Sequence, residues 1–159
     1  MAVTAVRTEK AYEKYAWLTF VVFGIAVIVS AVILTLTGSE PSQNLYQSDI
    51  TLGKPWSTLQ ASNPDVVKLS NDLIRSYALL LFPVGVFTVA ISYKSFRRGE
   101  KWSWYAFCIL PLALIYEIGL ETSFGIPFGA IASFDGPFAA LCLLGLLLPY
   151  RKFFPRKQA

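Results

Sequence analysis

Five ionisable residues stand apart by type and position: Asp72, Arg75, Glu117, Glu121 and Asp135. Asp72 and Arg75 are three residues apart, and Glu117 and Glu121 are four apart, so on a helix each pair shares a face. All five fall near the ends of long apolar runs, at the same predicted end of the molecule. Ionisable groups at membrane depth are costly, and where they face a bundle interior they mark a ligand or ion pathway. The chemistry this set supports is binding. Arg75 would pair with one carboxylate, and the remaining acids would accept a cation, a proton or an amine in an outward-facing acidic pocket. A plainer reading uses the same residues: Arg75 bridges to Asp72 or Glu117, Glu121 faces water, and Asp135 caps a helix. Charges near helix ends at the interface are tolerated cheaply.

Bond-making chemistry is poorly supplied. There is no histidine, which removes the commonest general base and metal ligand. Cys108 and Cys142 lie inside apolar runs and form no CxxC pair, so they read as small hydrophobes. No P-loop, GxSxG, HExxH or zinc spacing is present, and no cofactor or metal is implied. An enzyme acting on a lipid or quinone would have to work with carboxylates, Tyr116 or a bound cofactor.

The elements that position these residues are membrane helices. The 159 residues are 55% hydrophobic and 15% charged, against about 25% charged in a soluble domain. The apolar stretch 16–37 is long enough at about 1.5 Å per residue to cross a hydrocarbon core of roughly 30 Å. It reads as a retained helix, being longer than a signal-peptide core and lacking an A-x-A site after it. Residues 38–62 form a polar outer loop. Asn63-Pro64-Asp65 then gives a cap, a first-turn proline and an acid at the positive helix end. The second helix follows over 64–93, with Pro83 and Gly85 near its middle. A third helix covers 103–120, interrupted by Pro111. Residues 122–135 carry Gly125, Pro127 and Gly129, and read as an interfacial or shallow re-entrant segment. Asp135-Gly136-Pro137 starts a short last helix over 137–150. The fold class expected is all-α: a single transmembrane domain, 1–159, built as a four-helix bundle. Small residues four apart, Ala26/Ser30 and Gly136/Ala140, would permit close helix contact.

The stretch Lys94 to Trp104, KSFRRGEKWSW, fixes the sidedness. It carries four basic residues and one acid between two apolar runs, with Tyr93, Trp102 and Trp104 around it. Basic residues stay on the cytoplasmic side, and aromatic rings sit at headgroup level. Arg7, Lys10, Lys14, Arg151, Lys152, Arg156 and Lys157 fall on that same side, and only Lys54, Lys68 and Arg75 fall on the other. Both termini are therefore expected in the cytoplasm. Sorting by segment also accounts for the net charge of +4 without a nucleic-acid partner. The inner basic rim, with Phe153 and Phe154, could dock a partner or acidic lipid.

The inner turn RRGEKWSWY (Arg97 to Tyr105) and the segment LLGLLLPYRKFFP (Leu143 to Pro155) resemble small four-helix prokaryotic membrane proteins of the DoxX-like kind. The outer loop 38–62 departs from their compact pattern. The resemblance implies a prokaryotic plasma-membrane protein, similar to subunits of quinone-linked oxidoreductase complexes, and it carries over no catalytic residue. The function expected is a non-catalytic accessory or structural subunit of a larger membrane complex, with lipids and other membrane subunits as partners. The alternative is small-solute, ion or proton binding or transport through the acidic pocket.

Overall fold

The computed structural model describes residues 11–38, 56–123, 125 and 128–155. Among these the chain is all-helical. A short α1 (Ala11–Tyr15) leads through Ala16 into α2 (Trp17–Thr37). Then come α3 (Trp56–Ser62), helical where the sequence reading placed the end of the outer loop, and α4 (Pro64–Ile91), which passes into one π-helical turn, Ser92–Phe96. Then follow α5 (Lys101–Phe107), α6 (Ile109–Ser123), α7 (Phe128–Leu147) and α8 (Tyr150–Phe153). Three helical stretches are long and apolar enough to cross a membrane: Ala11–Thr37, Pro64–Phe96 and Lys101–Ser123. The expected outer loop falls largely outside the described residues, as do Arg7, Lys10, Lys54, Arg156 and Lys157.

Two helix boundaries differ from the sequence reading. The last helix begins at Phe128 and ends at Leu147, not over 137–150. Pro137 lies inside it, and Asp135 sits about two turns beyond its start, so Asp135 is no N-cap. A proline removes one backbone hydrogen bond, here that to the Ser133 carbonyl, and the neighbouring turns of a membrane helix absorb that loss. Phe128 to Ser133 is apolar enough to continue as helix, with the Ser133 hydroxyl donating to the Gly129 carbonyl at 2.8 Å. The described part of 122–135 is thus the end of α6 and the start of α7, with Gly125 at φ 82° between them. The third span is also divided. The Pro111 ring crowds the carbonyl of Phe107, four residues back, and α5 gives way to α6 at Cys108. The Cys108 amide there donates to both Trp104 and Tyr105 carbonyls, at 3.2 and 3.1 Å.

α2 is the hub. It makes its most extensive contact with α4 and a smaller one with α7, and α7 in turn packs on α6. The α2–α4 crossing is glycine on glycine. A methyl on Gly24 would sit 2.7 Å from Val89 Cγ2 and 2.9 Å from the Gly85 carbonyl oxygen. One on Gly85 would sit 2.7 Å from Ile28 Cγ1 and 2.8 Å from the Gly24 carbonyl oxygen. In a bilayer no hydrophobic force joins two apolar helices, so bare backbone that allows close van der Waals contact supplies the attraction. Ala31 and Ala78 are buried on the same two helices. The small pairs singled out from sequence spacing are not this contact; at Gly136 an added methyl meets open space.

The side-chain core lies at one end. Phe20, Phe96, Phe107 and Phe153 are buried together with Phe23, Cys142 and Leu146. Phe20 stacks on Phe107 at 4.1 Å between ring centroids. Phe96 meets Phe20 edge-on at 5.1 Å and packs against Phe153 at 4.6 Å. These rings come from α2, the π-helical turn, α5 and α8, so one cluster ties together segments distant in sequence. Offset and edge-to-face arrangements suit the ring quadrupoles and add to the contact area.

Candidate functional site

The predicted site residues occupy three helices. Asp72 and Arg75 lie on α4, one turn apart, with Arg75 Nη1 3.8 Å from Asp72 Oδ1 and both side chains about half exposed. Glu117 is exposed on α6, Glu121 is half-buried one turn further along it, and Asp135 is half-buried on α7. The structure thus brings Asp72 and Arg75 into contact. α6 and α7 are in contact, which puts Glu117, Glu121 and Asp135 on neighbouring helices.

Arg75 has a second neighbour. Gly38 ends α2 in a left-handed conformation, φ 64°, with its amide donating to the Leu34 carbonyl at 2.8 Å. A methyl on Gly38 would lie 2.8 Å from Arg75 Nε. The guanidinium therefore lies beside the C-terminal end of α2, where the helix dipole is negative. Glycine at this position serves both the backbone geometry and the close approach. The ion pair and the place beside the negative end of α2 together account for Arg75 without a ligand.

A groove of about 310 Å³ opens beside this pair, lined by Gln60, Pro64, Val67, Lys68, Asn71, Asp72 and Arg75. It lies between α3 and α4. Asn71 Oδ1 is buried with no hydrogen-bond partner among the described residues. Such a group is expensive unless a ligand, water or ion supplies a donor. Lys68 and Arg75 outnumber Asp72 here, so this groove does not repeat the acidic character expected of the five-residue set. Asn71 and Gln60 escaped the sequence reading, and Lys68 entered it only as a member of a charged stripe on the outer part of the second helix. The i,i+3 and i,i+4 spacing of Asp65, Lys68, Asp72 and Arg75 signalled the stripe, but nothing local indicated that α3 would form the second wall.

Both cysteines are free thiols. Cys142 is buried in the aromatic cluster, and Cys108 packs against it from the α5–α6 break. Among the described residues no three His, Cys, Asp or Glu side chains gather to hold a metal ion.

The opposite end is built differently. Ser92 Oγ donates to the Trp17 carbonyl at 2.6 Å, joining the π-helical turn to α2. Trp104 Nε1 donates to the Leu146 carbonyl at 3.1 Å, taking up one of the last free carbonyls of α7. Lys152 Nζ donates to the Arg97 carbonyl at 2.9 Å. The Arg97 guanidinium lies 5.4 Å from the Trp17 ring centroid and 5.5 Å from that of Tyr93. Phe153, grouped with the basic rim in the sequence reading, is buried in the core, which removes it from any docking surface.

Comparison with known proteins finds no matching family model, curated protein or solved structure. Function therefore has to be argued from these residues.

Proposed function

We propose that the protein is a small integral membrane protein acting as a non-catalytic accessory or structural subunit of a larger membrane complex. In this reading α7 is a fourth crossing, and both chain ends share the cytoplasmic side of a prokaryotic plasma membrane with the 94–101 turn. The resemblance described above favours an oxidoreductase complex as the setting.

The observation that carries the proposal is the outer part of α4. At 28 residues the helix is about 42 Å long, against a hydrocarbon core of roughly 30 Å, so it extends beyond that core. Asp65, Lys68, Asp72 and Arg75 mark the projecting part as aqueous. Yet Val66, Leu69 and Leu73 in that part are 55%, 60% and 61% exposed. Leu80, Val84 and Phe87 continue the exposed face down the helix. Lipid covers the lower residues but does not reach the upper ones. A contiguous apolar stripe left in water is a protein contact surface, and a neighbouring subunit would cover it along its length. Purification from native membranes in mild detergent tests this. Co-purification of a further membrane subunit, lost on replacing Leu69 and Leu73 by Ser, is the expected result. A stable, monodisperse lone monomer would overturn it.

A second reading, small-solute binding, is favoured by one specific observation: the buried Asn71 carbonyl oxygen lining a polar groove. A solute offering an N–H or O–H to Asn71 and an anionic group to Lys68 would satisfy both. Screening polar solutes by thermal shift tests it. The expected hit loses its effect in Asn71→Leu and Lys68→Gln, whereas one bound through the acids instead loses it in Glu117→Gln.

A further inference from the structure

The π-helical turn and the residues after it divide inward from outward. Ser92, Ser95 and Phe96 are buried, whereas Tyr93, Lys94, Arg97 and Arg98 are exposed. A π-helical turn widens the helix by one residue and often sits at a functional position. Here it turns three cations out while leaving Phe96 in the aromatic core. The turn that follows is held by backbone bonds, with Gly99 at φ 77° and the Glu100 amide donating to the Ser95 carbonyl at 3.2 Å. Lys152 packs its stem on Gly99 and its ammonium on the Arg97 carbonyl. The cations therefore project from a rigid base.

Among the described residues Lys94, Arg97, Arg98 and Lys101 form no ion pair. Glu100 is the single acid in the 94–101 stretch, and its Oε2 accepts the Trp102 indole N–H at 2.7 Å. The Arg97 guanidinium is held over the Trp17 and Tyr93 rings, which take no hydrogen bond from it. A guanidinium used in this way keeps its N–H edges for a phosphate. Exposed Tyr93, Trp102, Tyr105 and Tyr150 surround the group, and amphipathic rings of this kind settle at headgroup depth. The phosphate layer of a bilayer lies at that depth.

We propose that Lys94, Arg97, Arg98 and Lys101 form a seat for the phosphodiester of an anionic phospholipid, with Arg97 as its fixed point. Charge complementarity selects the occupant. A zwitterionic headgroup brings its own cation to the same rim and gains little there, whereas an anionic one neutralises charges already pinned in place.

The test uses the full-length protein in a neutral detergent. Phosphatidylglycerol, phosphatidylcholine and inorganic phosphate are each added while thermal unfolding and lipid retention in native mass spectrometry are followed. Preferential retention of phosphatidylglycerol and a rise in Tm that fades at 0.5 M salt are expected. Each removed cation should weaken retention by about fivefold, so Arg97→Gln/Arg98→Gln should lose more than tenfold with the helical circular dichroism unchanged. Lys94→Gln/Lys101→Gln leaves the Trp17 and Tyr93 contacts in place and provides a second variant if the first does not fold. Equal retention of phosphatidylcholine, full retention in both variants, or the same Tm rise from inorganic phosphate would overturn the proposal.

Discussion

The two ends of the molecule are put together on different principles. At the end carrying the 94–101 turn, four phenylalanine rings from four separate segments fill the space between helices. Side chains reach across to backbone carbonyls of other elements at Trp17, Leu146 and Arg97. At the opposite end the helices lie loosely. α6 has no fully buried residue, and methyl groups added at Gly119, Gly129 or Gly136 would meet open space. The Asp72–Arg75 ion pair there joins neighbours on a single helix. The filled end makes the chain one object. The open end, with its polar groove and exposed leucines, is where the proposed neighbouring subunit would pack.

Substitutions can break that contrast or sharpen it. The largest loss is expected from Phe153→Ala, which empties a ring-sized site in the core; about 3–5 kcal/mol is the usual cost of such a cavity, read as a lowered Tm in detergent. Gly85→Ala comes next. Its new methyl meets the Gly24 carbonyl, which is backbone and cannot swing away, so a loss of about 1–3 kcal/mol is expected. Trp104→Phe keeps the ring but removes the donor to Leu146, for about 1 kcal/mol. Asp72→Asn at the open end should cost under about 1 kcal/mol, because exposed ion pairs contribute little. Gly119→Ala should stabilise slightly, by about 0.5 kcal/mol, since alanine is the better helix former and nothing obstructs it. If the last two variants proved as damaging as the first two, the open end would be packed after all and the comparison would fail.

How far the sequence disclosed this follows from the range of each interaction. The first apolar run ends at Thr37 as its composition indicates, and α4 begins at Pro64 where Asn63-Pro64-Asp65 signals it. These are local effects of hydropathy and capping. The start of α7 was misplaced because Asp135-Gly136-Pro137 has the form of a helix start; the apolar residues before it carry the helix through the proline. Pro111 was visible, but not that Cys108 would be the break. Asp72 and Arg75 were paired by spacing alone. The meeting of Gly24 with Gly85, Arg75 with the end of α2, and α3 with α4 to form the groove all depend on tertiary contacts. No periodicity reports those.

One consequence lies in the order of synthesis. Phe153 joins the aromatic cluster from 46 residues beyond Phe107 (153 − 107), so it is synthesised well after Phe20, Phe96 and Phe107. Until it arrives, those three rings surround a vacancy, and the earlier helices must wait in the bilayer joined mainly where Gly24 touches Gly85. The aromatic cluster is therefore completed only after the helices that supply its other rings, by α8 and not by the spans inserted before it.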